Sequence, residues 1–255
     1  MKSENIIQKI IEWLKDYAYT NNIKTFVVGI SGGIDSSLVS TLCALTGINT
    51  IVITIPIEQN KSLDNISLKH GSWLVSNIKN VKLERIDLTE TYKKFVENLS
   101  ANSIQNLSNL SKANLKSRLR MCALYSVASS NEGIVVGTGN KVEDFGIGFF
   151  TKYGDGGVDI SPIADLMKTE VWECASKLGI LQEIIDAPPT DGLWEDGRTD
   201  EEQIGMSYNL LEWAMENKDS DDKLNADQLR AKNIYRRLNK QNQHKMLPIP
   251  ICKFQ

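Results

Sequence analysis

Apolar residues recur at spacings of three and four near the start of the chain, where Ile6, Ile7, Ile10, Ile11, Leu14 and Tyr17 share one face. That period predicts an amphipathic helix covering a sheet, with Ser3 as its N-cap. The pattern then shortens into β-branched runs at 26–28, 51–53, 81–86 and 134–136, separated by helix-length segments. Apolar strands alternating with helices bury both faces of a sheet, so the expected fold class is α/β. The architecture it implies is a Rossmann-like, doubly wound parallel sheet flanked by helices.

Residues 113–130 read as a helix, with Leu115, Leu119, Cys122, Ala123 and Val127 on one side and Lys116, Arg118 and Arg120 elsewhere. A helix is also expected at 168–177 and a last one at 224–239. Other stretches break the pattern. Positions 99–112 are rich in Ser and Asn, which compete for backbone hydrogen bonds, and read as a loop or irregular helix. Positions 144–157 carry five glycines among aromatics, which predicts irregular backbone close to a ligand. Positions 187–203 open with Ala-Pro-Pro-Thr and turn acidic, as an active-site lid would. The acidic run 219–222 reads as a solvated connection.

The 255 residues, 41% hydrophobic and 24% charged, suit one globular domain over 1–255. A net charge of -3 excludes a protein that works by neutralising nucleic-acid phosphates, so no nucleic-acid partner is expected. Cys43, Cys122, Cys174 and Cys252 form no CxxC pair and read as buried thiols in a reducing compartment. Without an apolar segment of membrane-spanning length, the expectation is a cytoplasmic protein with no membrane partner.

The chemistry concentrates where the first strand runs into Gly29-Ile30-Ser31-Gly32-Gly33-Ile34-Asp35-Ser36. Two glycines allow a tight turn with exposed N–H groups, the serines add donors, and the next helix presents its positive end. These features make a phosphate cradle. It lacks the Lys-Ser/Thr ending of a Walker loop and the spacing of a GxGxxG fingerprint. Asp35 would repel bare phosphate, so its natural part is to hold Mg²⁺ on the phosphate oxygens. The competing reading makes Asp35 a simple helix cap.

SGGxDS resembles the loop of the N-type ATP pyrophosphatases, a group that includes GMP synthetases, asparagine synthetases, tRNA thiolation enzymes and NAD synthetases. Three later segments narrow the choice: Gly137-Thr138 with Glu143, the 12-residue block from Gly148 to Asp159, and Asn242-Gln-His244-Lys245. Together they resemble the ammonia-dependent NAD synthetases over nearly the whole chain. The resemblance implies that nicotinic acid adenine dinucleotide (deamido-NAD) is adenylated by ATP on its carboxylate and then amidated by ammonia, as the last step of NAD biosynthesis. It implies a homodimer with the dinucleotide at the subunit interface, and a carbon-nitrogen ligase without a glutaminase domain.

Residue by residue, the resemblance implies Asp35 and Glu143 as Mg²⁺ ligands. It implies Gly29, Ile30, Ser31, Gly32, Gly33, Ile34, Asp35, Ser36, Thr138, Lys168 and Thr190 as ATP contacts. Arg118, Lys152, Asp159, His244 and Lys245 match deamido-NAD contacts, with Asp159 also expected to assist the deprotonation of ammonium. One departure stands out: many members carry Asp-His-Ala-Ala where this chain has Gly139-Asn140-Lys141-Val142, and Lys141 is expected to bring a different charge there. The runner-up is a GMP-synthetase-like enzyme. A silent nucleotide- or tRNA-binding module would have lost Asp35 and Glu143.

Overall fold

The computed structural model describes residues 2–59, 61–101, 107–190, 192, 197–220 and 224–254. Strands β1 (Thr25–Gly29), β2 (Asn49–Thr54), β3 (Val81–Arg85) and β4 (Gly133–Val135) form one parallel sheet in the order β3-β2-β1-β4. Val27 stands opposite Ile51 on one side and Val135 on the other. Each β-branched run of the sequence lies on one of these strands. The chain steps outward from β1 to β3 and then crosses to β4 on the far side of β1. That reversal opens a crevice between the carboxyl ends of β1 and β4, where open α/β sheets place ligands.

The helices are α1 (Lys2–Thr20), α2 (Ile34–Leu45), α3 (Lys61–Asn77), α4 (Thr89–Ala101) and α5 (Asn109–Ser130). A π-helix (Lys141–Ile147) follows, and then α6 (Lys168–Lys177), α7 (Gln182–Ile185), α8 (Asp200–Ile204), α9 (Tyr208–Glu216) and α10 (Ala226–Met246). Alternate residues of β1 face opposite ways, as the period of two requires. Phe26 and Val28 join Leu14 of α1, Leu38 and Leu42 of α2 and Val171 of α6, whereas Val27 packs with Ile53, Val135 and Ala128 of α5. Leu14, Leu38 and Leu42 are fully buried, and each such burial contributes about 1.5–3 kcal/mol. A further cluster joins Val142 and Ile147 of the π-helix to Tyr208 and Leu211 of α9 and Tyr235 of α10.

Several expectations need correction. Ser3 lies inside α1 and does not cap it, because the helix already begins at Lys2. Helix α5 begins at Asn109, where Ser108 Oγ accepts the N–H of Ser111 at 3.1 Å. The Ser/Asn stretch is thus partly helix, and residues 102–106 lie outside the described residues. The burial face of α5 agrees in part: Ala123 and Val127 pack on the core as expected, but Lys116 and Ser117 are also buried, whereas Cys122 is exposed. Polar residues are tolerated there because they find partners, Lys116 pairing with Glu58 at 3.2 Å and Ser117 with Asp155 at 2.6 Å. Residues 144–147, expected to be irregular, close the π-helix, and α10 runs on to Met246. Cys43 and Cys174 are buried, but Cys252, like Cys122, is exposed. Of the acidic run, Asp221 and Asp222 lie outside the described residues. No described helix is long and apolar enough to cross a membrane.

Candidate active site

Between the end of β1 and the start of α2, the backbone reverses at Gly32, whose φ of +88° is a left-handed conformation open chiefly to glycine. Ser36 Oγ accepts the N–H of Ser31 at 3.2 Å and donates to the carbonyl of Gly33 at 3.0 Å. Ser37 Oγ donates to the same carbonyl at 2.9 Å. The turn is therefore locked by its own side chains. Gly33 is the N-cap of α2 and supplies no capping side chain, so the positive helix end stays open to an anion. Asp35 does not cap the helix either. Its Oδ2 accepts Lys168 Nζ at 2.5 Å and its Oδ1 accepts Asn140 Nδ2 at 3.1 Å.

Lys168, the first residue of α6, bridges two acids. Its Nζ also donates to Glu143 Oε1 at 2.9 Å, with a side chain only 2% exposed. Glu143 is aimed inward by the π-helix, a form often found at functional sites. Asn140 caps that helix, its Oδ1 accepting the N–H groups of Val142 and Glu143 at 3.1 and 3.0 Å. Tyr208 OH donates to Glu143 Oε1 at 2.5 Å, and Lys168 Nζ lies 5.0 Å from the Tyr208 ring centroid.

The electrostatics follow from burial with pairing. Burial, opposed by Lys168 and reinforced by Glu143, leaves the Asp35 carboxyl above its ordinary range. Burial also works against ionisation of Glu143, yet Lys168 and the Tyr208 hydrogen bond together hold its carboxyl below the ordinary range. For Lys168, burial opposes the charge and the two carboxylates overcome it, so the ammonium pKa is raised. The arrangement fits a divalent cation: two carboxylates already converge on one position occupied by positive charge. Mg²⁺ needs few protein ligands, because water and phosphate oxygens complete its shell.

A second group of the expected residues gathers where the glycine-rich block meets the end of α10. Lys152 Nζ donates to the carbonyl of His244 at 2.6 Å, Lys245 Nζ to that of Phe150 at 2.8 Å, and Arg118 Nε to that of Lys152 at 3.3 Å. Burial lowers the Lys245 ammonium pKa, with Asp155 and Asp144 opposing. Asp159 stands apart from these cations. Its Oδ2 accepts the N–H of Val135 at 2.8 Å and its Oδ1 the Tyr125 hydroxyl at 3.0 Å, so both oxygens are engaged at the end of β4. Thr138 is half-buried just beyond β4, at the crevice. Thr190 Oγ1 donates to the carbonyl of Arg198 at 3.1 Å, and Asp200 N donates to Pro189 O at 2.9 Å. Within the expected lid, α8 begins at Asp200, and residues 191 and 193–196 lie outside the described residues.

Two residues of the first group were not expected from the sequence. Asn140 sits in the atypical segment and is fully buried between Asp35 and Glu143. An Asn three residues before Glu143, the spacing of a helix N-cap and its third residue, was the available signal. Tyr208 is 65 residues from Glu143 and carries no local signal at all. Lys141 does not bring charge to the site, since it pairs outward with exposed Asp165 at 2.7 Å. A Cβ at Gly139 would lie 1.8 Å from Asp144 Oδ2, so a larger residue there needs the Asp144 side chain to move aside.

The chain is similar to known proteins over nearly its whole length. A family model described as NAD synthase matches residues 6–248. An NH(3)-dependent NAD(+) synthetase from Methanosarcina mazei is 35% identical over 260 aligned positions, covering 98% of this chain and 98% of that one. Another of the same description, from Carboxydothermus hydrogenoformans, is 38% identical over 82% of this chain and 84% of its own length. Among solved structures, an NMN synthetase from Francisella tularensis superposes with a TM-score of 0.88 at 29% identity, with both chains fully covered. The phosphate loop at the sheet's switch point, its paired carboxylates and these matches place the chain in the NAD synthase family.

Proposed function

We propose that the chain is an ATP-dependent, ammonia-using amide synthase that converts deamido-NAD to NAD through an adenylated nicotinate carboxylate. The observation that carries the reading is the phosphate cradle at the crevice with Asp35, Glu143 and Lys168 converging beside it. The extensive match to relatives described as NH(3)-dependent supports free ammonia as the nitrogen donor and one synthetase domain spanning 1–255.

Each residue does physical work. A carboxylate resists ammonia because it is anionic and would have to expel oxide. The cradle N–H groups hold the β and γ phosphates so that the carboxylate oxygen attacks the α-phosphorus in line, forming the acyl adenylate and releasing pyrophosphate. Asp35 and Glu143 would hold Mg²⁺, which when bound would supply charge neutralisation for the departing pyrophosphate. Lys168, displaced from between the acids, carries its charge to the polyphosphate, with Thr138 and Thr190 completing the ATP contacts. Ammonia then adds to the acyl carbon, loses its proton and expels AMP. Asp159 assists the earlier deprotonation of ammonium that supplies the ammonia. Arg118, Lys152, His244 and Lys245 hold the pyrophosphate and riboses of the dinucleotide. We place this acid at the interface of a homodimer in the cytoplasm, where Arg118 and the His244-Lys245 pair reach across to the partner.

A second acid has one observation in its favour: the Francisella structure is described as a synthetase of the mononucleotide NMN. The chemistry would be identical, with the carboxylate of a mononucleotide in place of the dinucleotide. Turnover measured with ATP, Mg²⁺ and ammonium against each acid separates them. We expect kcat/KM to favour the dinucleotide. A preference for the mononucleotide reassigns the substrate, and activity with neither overturns the function.

A further inference from the structure

We propose that Tyr208 is the positioning residue that sets Glu143 for the divalent cation. The inference rests on the reading of Asp35 and Glu143 as the cation site. Lys168 and Tyr208 both donate to Glu143 Oε1, at 2.9 and 2.5 Å. Their fates on cation binding differ. An ammonium cannot stay between two carboxylates that have closed on Mg²⁺, because the like charges repel. A neutral phenol can stay, and its hydroxyl then holds the oxygen that Lys168 has left.

The phenol is itself held in place. Tyr208 is 2% exposed, its backbone N–H donates to Glu201 Oε1 at 2.8 Å, and its ring meets Trp172 edge-on at 5.9 Å and 84°. The hydroxyl also lies 3.4 Å from Asp200 Oδ2, but it has one proton, and the shorter contact is to Glu143. Asp200 in turn carries the bond to Pro189, next to Thr190. Tyr208 thus fixes Glu143 to the two elements that flank the ATP site, α6 through Trp172 and α8 through Glu201.

The test uses Tyr208→Phe, which keeps the ring and its packing and removes only the hydroxyl. Mn²⁺ binding to the full chain with a non-hydrolysable ATP analogue, followed by electron paramagnetic resonance, is expected to weaken about tenfold, as loss of one hydrogen bond to a charged group predicts. The KM for Mg²⁺ should rise by a similar factor while the KM for the acid stays within twofold. In a Glu143→Ala background the same substitution should change Mn²⁺ affinity less than twofold, since the oxygen that accepts the phenol is gone. If the wild-type chain binds no Mn²⁺, the reading of the cation site fails. If it binds Mn²⁺ and Tyr208→Phe binds equally well, only the inference about Tyr208 fails. A lowered melting temperature with unchanged Mn²⁺ affinity reduces Tyr208 to a packing residue and overturns the proposal.

Discussion

The proposed ATP half and the proposed acid half of the site both gather cations, but they partner them differently. Around the phosphate loop, Lys168 is buried against two carboxylates at 2.5 and 2.9 Å. At the end of α10, Lys152, Lys245 and Arg118 donate to main-chain carbonyls instead. A neutral carbonyl yields readily to a phosphate, because the new bond is charge-assisted. A buried carboxylate yields its ammonium only to another cation, since an unpaired buried charge is costly. On the proposed assignment the ATP half is set in advance, whereas the acid half would take its final form around the ligand. Adenylation is built in, and choice of acid is adjustable.

Removing a charge should accordingly cost most in the first half. Asp35→Ala is expected to lower the adenylation rate by roughly 10³-fold, several kcal/mol of lost cation binding at the departing pyrophosphate. Pyrophosphate release in a stopped-flow assay checks this, and an unchanged rate would move the cation site elsewhere. Lys168→Met strands Asp35 and Glu143 beside each other. It should destabilise the ligand-free chain by about 3–5 kcal/mol, with part of the loss restored by millimolar Mg²⁺ in urea titrations. A loss that Mg²⁺ leaves untouched would contradict a shared position for ammonium and metal.

His70 extends the comparison to the layer behind α2. It is fully buried, its Nε2 lies 2.9 Å from Ser40 Oγ, and burial lowers its pKa from 6.5 to about 4. The unfolded chain therefore takes up the proton first. Stability from this group is complete above pH 6.5, falls as pH drops from 6.5 to 4, and levels off below that. His70→Gln should lose less stability between pH 7 and pH 4 than the wild type, by about 3 kcal/mol. Parallel acid limbs in denaturation at the two pH values would contradict it. The acid half should respond least: Lys152→Ala is expected to raise the KM of the acid about tenfold, leave that of ATP unchanged, and alter stability by under about 0.5 kcal/mol. An equal rise in both constants would erase the distinction between the halves.

How far the sequence carries follows from the same contrast. The strands and the loop after β1 are legible because apolar period, glycine and helix signals lie within a few adjacent positions. Asp35, Glu143 and Lys168 are legible as matches to a family pattern, yet their mutual contacts are not, since they come from α2, the π-helix and α6. Tyr208 is invisible for the same reason: packing of α9 against the π-helix brings it to Glu143. The face of α5 is read only in part because Lys116 and Ser117 look solvated until Glu58 and Asp155 appear as their partners. The π-helix is misread because glycines at 146 and 148 signal loop, whereas Asn140 starts the helix and Gly148, at φ +64°, ends it.

The central claim, that the carboxylate is activated on the α-phosphorus of ATP, is tested most directly by isotope transfer. With the substrate carboxylate labelled with ¹⁸O and ammonium supplied, mass spectrometry of the products should find one labelled oxygen in AMP and none in pyrophosphate. Label in pyrophosphate or inorganic phosphate, or AMP that carries none, would contradict the adenylate route and the role given to the loop.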